Sequence, residues 1–189
     1  MKTVSLIVRS ALAVVFAFVM SSASCDLFDK VDDVTVDVTL DHTFHVNETA
    51  ENPDGMTYLE VELLDAASVN SDFGKYKDKI KSVTVTSVTY TIVNCGTADV
   101  IFTGGTIGFA SASITAAPAQ VASLGVENIK AAENQEKNLP YSQAAVDQLS
   151  SLLKDDKKAN LFLIGTFDKT PAQFDVLVTV TASLVADAL

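Results

Sequence analysis

Tryptophan is absent from this chain, arginine occurs once and cysteine twice. Each scarcity narrows the chemistry. Sugar sites commonly stack a ring on indole, so the missing tryptophan argues against a glycosidase or a carbohydrate-binding module. The single arginine is Arg9, which leaves residues 25–189 without the planar fork that grips phosphate and carboxylate groups. In that stretch eleven lysines stand against 24 acidic residues, a formal charge of −13 that repels a phosphate backbone. Nucleic acid is therefore not an expected partner. Cys25 and Cys95 are the only thiols. Asn94-Cys95-Gly96 has the composition of a turn, with no adjoining base or cation to lower the thiol pKa, so Cys95 is expected to be a small structural residue.

The motifs of common enzymes are missing as well. No Gly-x-Ser-x-Gly accompanies the two histidines, His42 and His45. Three residues apart on a strand, they point to opposite faces and cannot share a metal ion. His42 is expected at the margin of the core and His45 in solvent, on the face of Asp41, where an aspartate–histidine hydrogen bond is possible. Gly104-Gly105-Thr106-Ile107-Gly108 lacks the lysine and the following helix of a phosphate loop, and predicts a hairpin turn. No Asp-x-Asp-x-Asp-Gly run occurs, and Glu51 and Asp54 are expected to flank a solvated turn at Asn52-Pro53-Asp54-Gly55. No catalytic residue, metal site or cofactor is expected, and the chain is not expected to be an enzyme.

What the chain does have begins at its first residue. Lys2 and Arg9 precede ten uncharged apolar residues, Ala11 to Met20, then Ser21-Ser22-Ala23-Ser24 and Cys25. A basic start, a short apolar core and a run of small residues are the parts of a cleaved export signal. Ten residues are too few for a permanent span, which needs roughly 20. Ser22-Ala23-Ser24-Cys25 resembles the lipobox of bacterial lipoproteins, in the relaxed form found in Bacteroidota, with Ser22 where leucine is usual. That resemblance implies removal of residues 1–24, lipid on Cys25, and attachment to the outer membrane through acyl chains, each methylene contributing roughly 0.8 kcal/mol. Four aspartates follow within Asp26 to Asp33. They suit a solvated tether over residues 25–33, and equally resemble the surface-export signal of Bacteroidota lipoproteins.

From Val34 the pattern is strict alternation. Val34, Val36, Val38, Leu40, His42, Phe44 and Val46 share one face, and polar residues share the other. Leu59, Val61 and Leu63 alternate with Glu60 and Glu62 in a second strand. Ser71 is a candidate cap for a short helix over 72–79, and Ile80 to Val93 is a strand whose apolar phase slips by one near Thr86-Ser87, predicting a bulge. Strand pairs are expected at 100–103 and 106–110, residues 111–125 as loop with a possible strand, and a further strand at 126–132. Ser142 caps the clearest helix, with Ala145, Val146, Leu149, Leu152 and Leu153 along one stripe. Strands over 161–167 and 174–185 complete the chain. Residues 34–189 are thus expected to form one mostly β domain, an antiparallel β-sandwich of about seven or eight strands, immunoglobulin-like, with one amphipathic helix.

The function that follows is a membrane-anchored, non-enzymatic structural, adhesive or binding module of the bacterial envelope. The partners are then the membrane, through the lipid, and an envelope protein. An apolar ligand held between the sheets is the alternative, with a fimbrial subunit or a carboxylate-dependent hydrolase behind it.

Overall fold

The structure, a computed structural model, describes residues 32–96 and 99–188. The leader, Cys25 and the first part of the acidic tether lie outside them. The chain divides into a minor unit, Met1–Val34 with Asp187–Leu189, and a main unit, Thr35–Ala186. In the minor unit the Ala188 N–H donates to the Asp32 carbonyl at 2.7 Å.

Nine strands and three helices follow one another along the described residues. They are β1 (Asp33–Asn52), β2 (Met56–Asp65), α1 (Ala66–Val69), α2 (Ser71–Tyr76), β3 (Ile80–Val93), β4 (Ile101–Ala110), β5 (Gln120–Leu124), β6 (Glu127–Asn128), β7 (Glu136–Asn138), α3 (Gln143–Asp155), β8 (Lys158–Phe167) and β9 (Thr170–Asp187). One sheet has the order β1-β9-β3-β7 and the other β2-β8-β4-β5, with β6 added to β4. The protein is mostly β, and the two antiparallel sheets form the expected sandwich. Within it the connectivity is that of a jelly roll. The chain passes from one sheet to the other at nearly every step, and the first and last strands lie side by side. An immunoglobulin order would instead keep its second sheet to strands C, F and G.

Periodicity explains the two long strands. In β1 the side chains of Val38, Leu40, Phe44 and Val46 are buried while Asp37, Thr39, Asp41, His45 and Asn47 are exposed. In β9 Ala172, Phe174, Val176, Val178, Val180, Ala182, Leu184 and Ala186 all point inward. The slip foreseen in β3 is a register shift between Val85 and Ser87 against β9. Across the sandwich Phe167 of β8 meets Phe174 of β9 edge to face, ring centres 5.7 Å apart.

Three local expectations are corrected. Gly104-Gly105 is not a hairpin turn, because β4 runs through it with a bulge between Phe102 and Gly104. The glycines serve packing: a Cβ on Gly105 or on its cross-strand partner Gly165 would collide with the Phe102 ring. The strand expected at 126–132 is only the two residues of β6. The short helix is capped by Asn70, whose side chain accepts from the Phe73 N–H at 2.9 Å, rather than by Ser71. Ser142 does cap α3, accepting from the Ala145 N–H at 3.2 Å.

The sandwich has two long margins, and α3 lies along one of them. β7 pairs only with Thr89–Thr91 of β3. Beside this short strand, at the bulge, the Val85 N–H donates to Ser150 Oγ of α3 at 3.0 Å. Gln120 of β5 donates to Gln148 of α3 at 3.0 Å, and the Tyr141 hydroxyl donates to the Ile107 carbonyl of β4 at 2.7 Å. The helix therefore joins both sheets, with Ala145, Leu149 and Leu153 buried beneath it.

Candidate functional site

Among the described residues the opposite margin, between β1 and β2, is covered only at one end. There the Phe73 side chain of α2 is fully buried, and Asn70 donates to the Thr39 carbonyl at 3.1 Å. Beyond it the margin is open and acidic. Residues 33–65 carry nine carboxylates and neither lysine nor arginine.

β2 is built with its faces reversed. Leu59 and Leu63 are 56% and 45% exposed, whereas Glu60 is half-buried on the side of the core. Register imposes this. Glu60 pairs with Leu163 of β8 and Glu62 with Leu161, so each carboxylate shares a sheet face with a buried leucine. Sliding β2 by one residue would bring its leucines inward but drive Tyr58 and the fully buried Leu64 out.

His42 lies on the inward face of β1, edge to face with Phe44 at 5.4 Å between centres, and its Nε2 is buried without a hydrogen-bond partner. Burial holds its pKa below the ordinary value, against the opposing pull of Glu62 and Glu60. The Tyr58 hydroxyl donates to Glu60 at 2.6 Å and lies 3.4 Å from the His45 carbonyl, linking β2 to β1. Burial, then Glu60, raises the phenol pKa, so it remains a donor. The arrangement is rich in acceptors and supplies no cation of its own. None of the ion pairs His45–Asp175, Lys130–Glu133, Lys137–Glu127 and Lys158–Asp65 involves Glu60 or Glu62.

The other candidate residues are brought together differently. His45 is exposed on the opposite face of β1, as expected, but its partner is Asp175 of β9 at 2.8 Å rather than Asp41. Four residues along a strand span roughly 13 Å, whereas a cross-strand neighbour is about 5 Å away. Asp41 accepts instead from Thr179 at 2.7 Å. Asn94 holds the second Asp175 oxygen at 2.6 Å. The hydrogen bond from Asp175 raises the His45 pKa. Neither imidazole ring has a hydroxyl or thiol partner among the described residues, so no histidine-activated nucleophile is assembled there. Cys95 is half-buried, and burial together with Glu133 pushes its thiol up to about 11. Among the described residues no three His, Cys, Asp or Glu side chains are placed to hold a metal ion. In the turn at 52–55 the Asp54 N–H donates to Asn52 Oδ1 at 3.0 Å, and the turn stays solvated.

Between the sheets Tyr90, Ile92, Phe102, Leu163, Phe174 and Val176 line an apolar cavity of about 20 Å³. That is room for about one water molecule. At its rim Glu127 accepts from the Tyr90 hydroxyl at 2.5 Å and pairs with Lys137 at 2.7 Å. Among the described residues no helix is long and apolar enough to cross a membrane.

No protein family matches the chain, and no curated protein does. Among solved structures it is similar to one of turnip yellow mosaic virus, with 14% identity and a TM-score of 0.38 over 82% of this chain and 93% of that one. A decameric BFDV capsid protein shows 9% identity and a TM-score of 0.38, over 80% and 98%. Desmodium yellow mottle tymovirus shows 10% identity and a TM-score of 0.33, over 82% and 90%. Likenesses this distant say nothing about what this chain binds.

Proposed function

We propose that the chain is a lipid-anchored, non-catalytic binding module of the bacterial outer membrane. The observation that carries the anchor is in the sequence: an apolar segment too short to span a bilayer, then small residues ending at Cys25. Lipid on Cys25 and an acidic tether place a jelly roll at the membrane surface, with its β1/β2 margin as the binding face. An apolar carrier needs a pocket of roughly 300 Å³ or more, and the cavity lined by Tyr90, Phe102 and Phe174 is about 20 Å³.

The test is metabolic labelling with an alkyne fatty acid, followed by mass analysis of the mature N-terminus. A labelled chain beginning at Cys25, and an unlabelled Cys25→Ala variant, are the expected results. An unmodified N-terminus at any other residue overturns the anchor.

A further inference from the structure

β2 is a strand with one side free. All ten of its residues pair with β8, Met56 with Phe167 through Asp65 with Lys158, without a register shift. Among the described residues no strand lies on the other side. Edge strands usually blunt such a row of backbone donors and acceptors with proline, lysine, a bulge or brevity. β2 has neither proline nor lysine, no bulge against β8, and is ten residues long. Its one protective device is a pair of carboxylates on the Leu161/Leu163 face of the sheet, half-buried Glu60 and exposed Glu62.

That device selects among partners. A second copy of β2 laid against the first sets Glu against Glu on one face, and like charges across a strand pair are destabilising. A strand carrying lysine or arginine at alternate positions meets those same carboxylates with opposite charge. Its intervening apolar side chains fall on the other face, beside Leu59 and Leu63. Among the described residues no ion pair occupies Glu60 or Glu62, and residues 33–65 contain neither lysine nor arginine.

We propose that the free edge of β2 captures an extended segment of a partner protein by strand addition, the segment alternating basic and apolar residues. Backbone hydrogen bonds supply affinity, and the Glu60/Glu62 and Leu59/Leu63 faces supply selectivity. This names the binding face of the proposed module and rests on that reading for its biological setting. The strand-addition chemistry itself stands apart from lipidation.

The test uses the mature chain, uniformly labelled for amide NMR, and three ten-residue peptides. One alternates lysine and valine, one has the same composition in two blocks, and one alternates glutamate and valine. The alternating basic peptide is expected to shift amide signals along Thr57–Leu64. It is also expected to bind about tenfold more tightly than the block peptide, and the glutamate peptide not at all. Glu60→Gln combined with Glu62→Gln is expected to weaken binding about tenfold while leaving the rest of the spectrum in place. Equal binding of the alternating and block peptides, or shifts confined to residues outside β2, overturns strand addition. Because the peptides are added in solution, loss of Cys25 labelling sinks the anchor and leaves this result standing, and the reverse also holds.

Discussion

The two long margins of the sandwich solve the same problem in opposite ways. Where two sheets meet at their edges, backbone groups and apolar side chains are left half-covered. At the β7/β5 margin α3 covers them: Ser150 takes the Val85 N–H, Gln148 holds β5, and Leu149 and Leu153 fill the space beneath. At the β1/β2 margin Phe73 is inserted at one end, and His42, Tyr58 and two glutamates line the rest among the described residues. One margin is built to stay shut. The other spends core-facing positions of β2 on charge, which a protein optimised only for stability would fill with apolar residues.

The sharpest way to break this contrast is to mutate both margins and compare. Leu153→Ala under α3 is expected to cost about 2–5 kcal/mol, the loss of a buried side chain plus its cavity. Glu60→Gln with Glu62→Gln is expected to change stability by no more than about 1 kcal/mol, because an amide oxygen at position 60 still accepts from the Tyr58 hydroxyl and no ion pair is lost. Urea unfolding of the two variants decides the matter. A large loss in the glutamate variant would mean that the acidic margin is structural after all.

How far this contrast was legible in the sequence depends on where each residue's environment is decided. The alternation of β1 and the stripe of α3 are local patterns, and both predict the buried residues. The reversal of β2 is not local, since Leu161 and Leu163 of β8, a hundred residues away, choose its inward face. The Gly104-Gly105 pair misleads for the same reason. Its cause is the Phe102 ring packing over a neighbouring strand, which composition expresses only as two glycines. The candidate binding margin is half legible: the cation-free stretch is visible in the sequence, and the free edge is not. Cys25 is the reverse case, read wholly from sequence and lying outside the described residues.

A smaller effect sharpens the contrast at the closed margin. Ser150 Oγ accepts from Val85 and donates to the Val146 carbonyl at 2.9 Å, so it ties the bulge of β3 to the helix. Ser150→Ala leaves the Val85 N–H without its acceptor, at an expected cost of about 1–3 kcal/mol. Amide exchange should then accelerate at Val85 and its β3 neighbours while β2, already free on one side, is unaffected. Unchanged exchange at Val85 would mean that the helix does not hold this edge.

The smallest effect separates the two faces of a single strand. His42 and His45 are three residues apart, yet their environments push their proton affinities in opposite directions. Asp175 favours the imidazolium of His45, so its pKa is raised. The stabilisation it contributes is fully present below the unfolded value near 6.5 and is lost as pH rises through the raised folded value. Burial disfavours the imidazolium of His42, so its pKa is lowered. Its contribution is present above about 6.5 and is lost as pH falls through the lowered folded value. NMR titration of the two rings should therefore give one midpoint on each side of that pH. Asp175→Asn is expected to bring the His45 midpoint down and to move that of His42 far less, because burial, Glu62 and Glu60 all weigh more on His42 than the His45 charge does. A basic peptide docked on β2 would move the His42 midpoint downward, and that of His45 less, because the pull of Glu62 and Glu60 that its cations offset is a leading influence on His42 and a minor one on His45. Coincident midpoints, or a peptide that shifts His45 instead, would place the charge of this margin on the wrong face of β1.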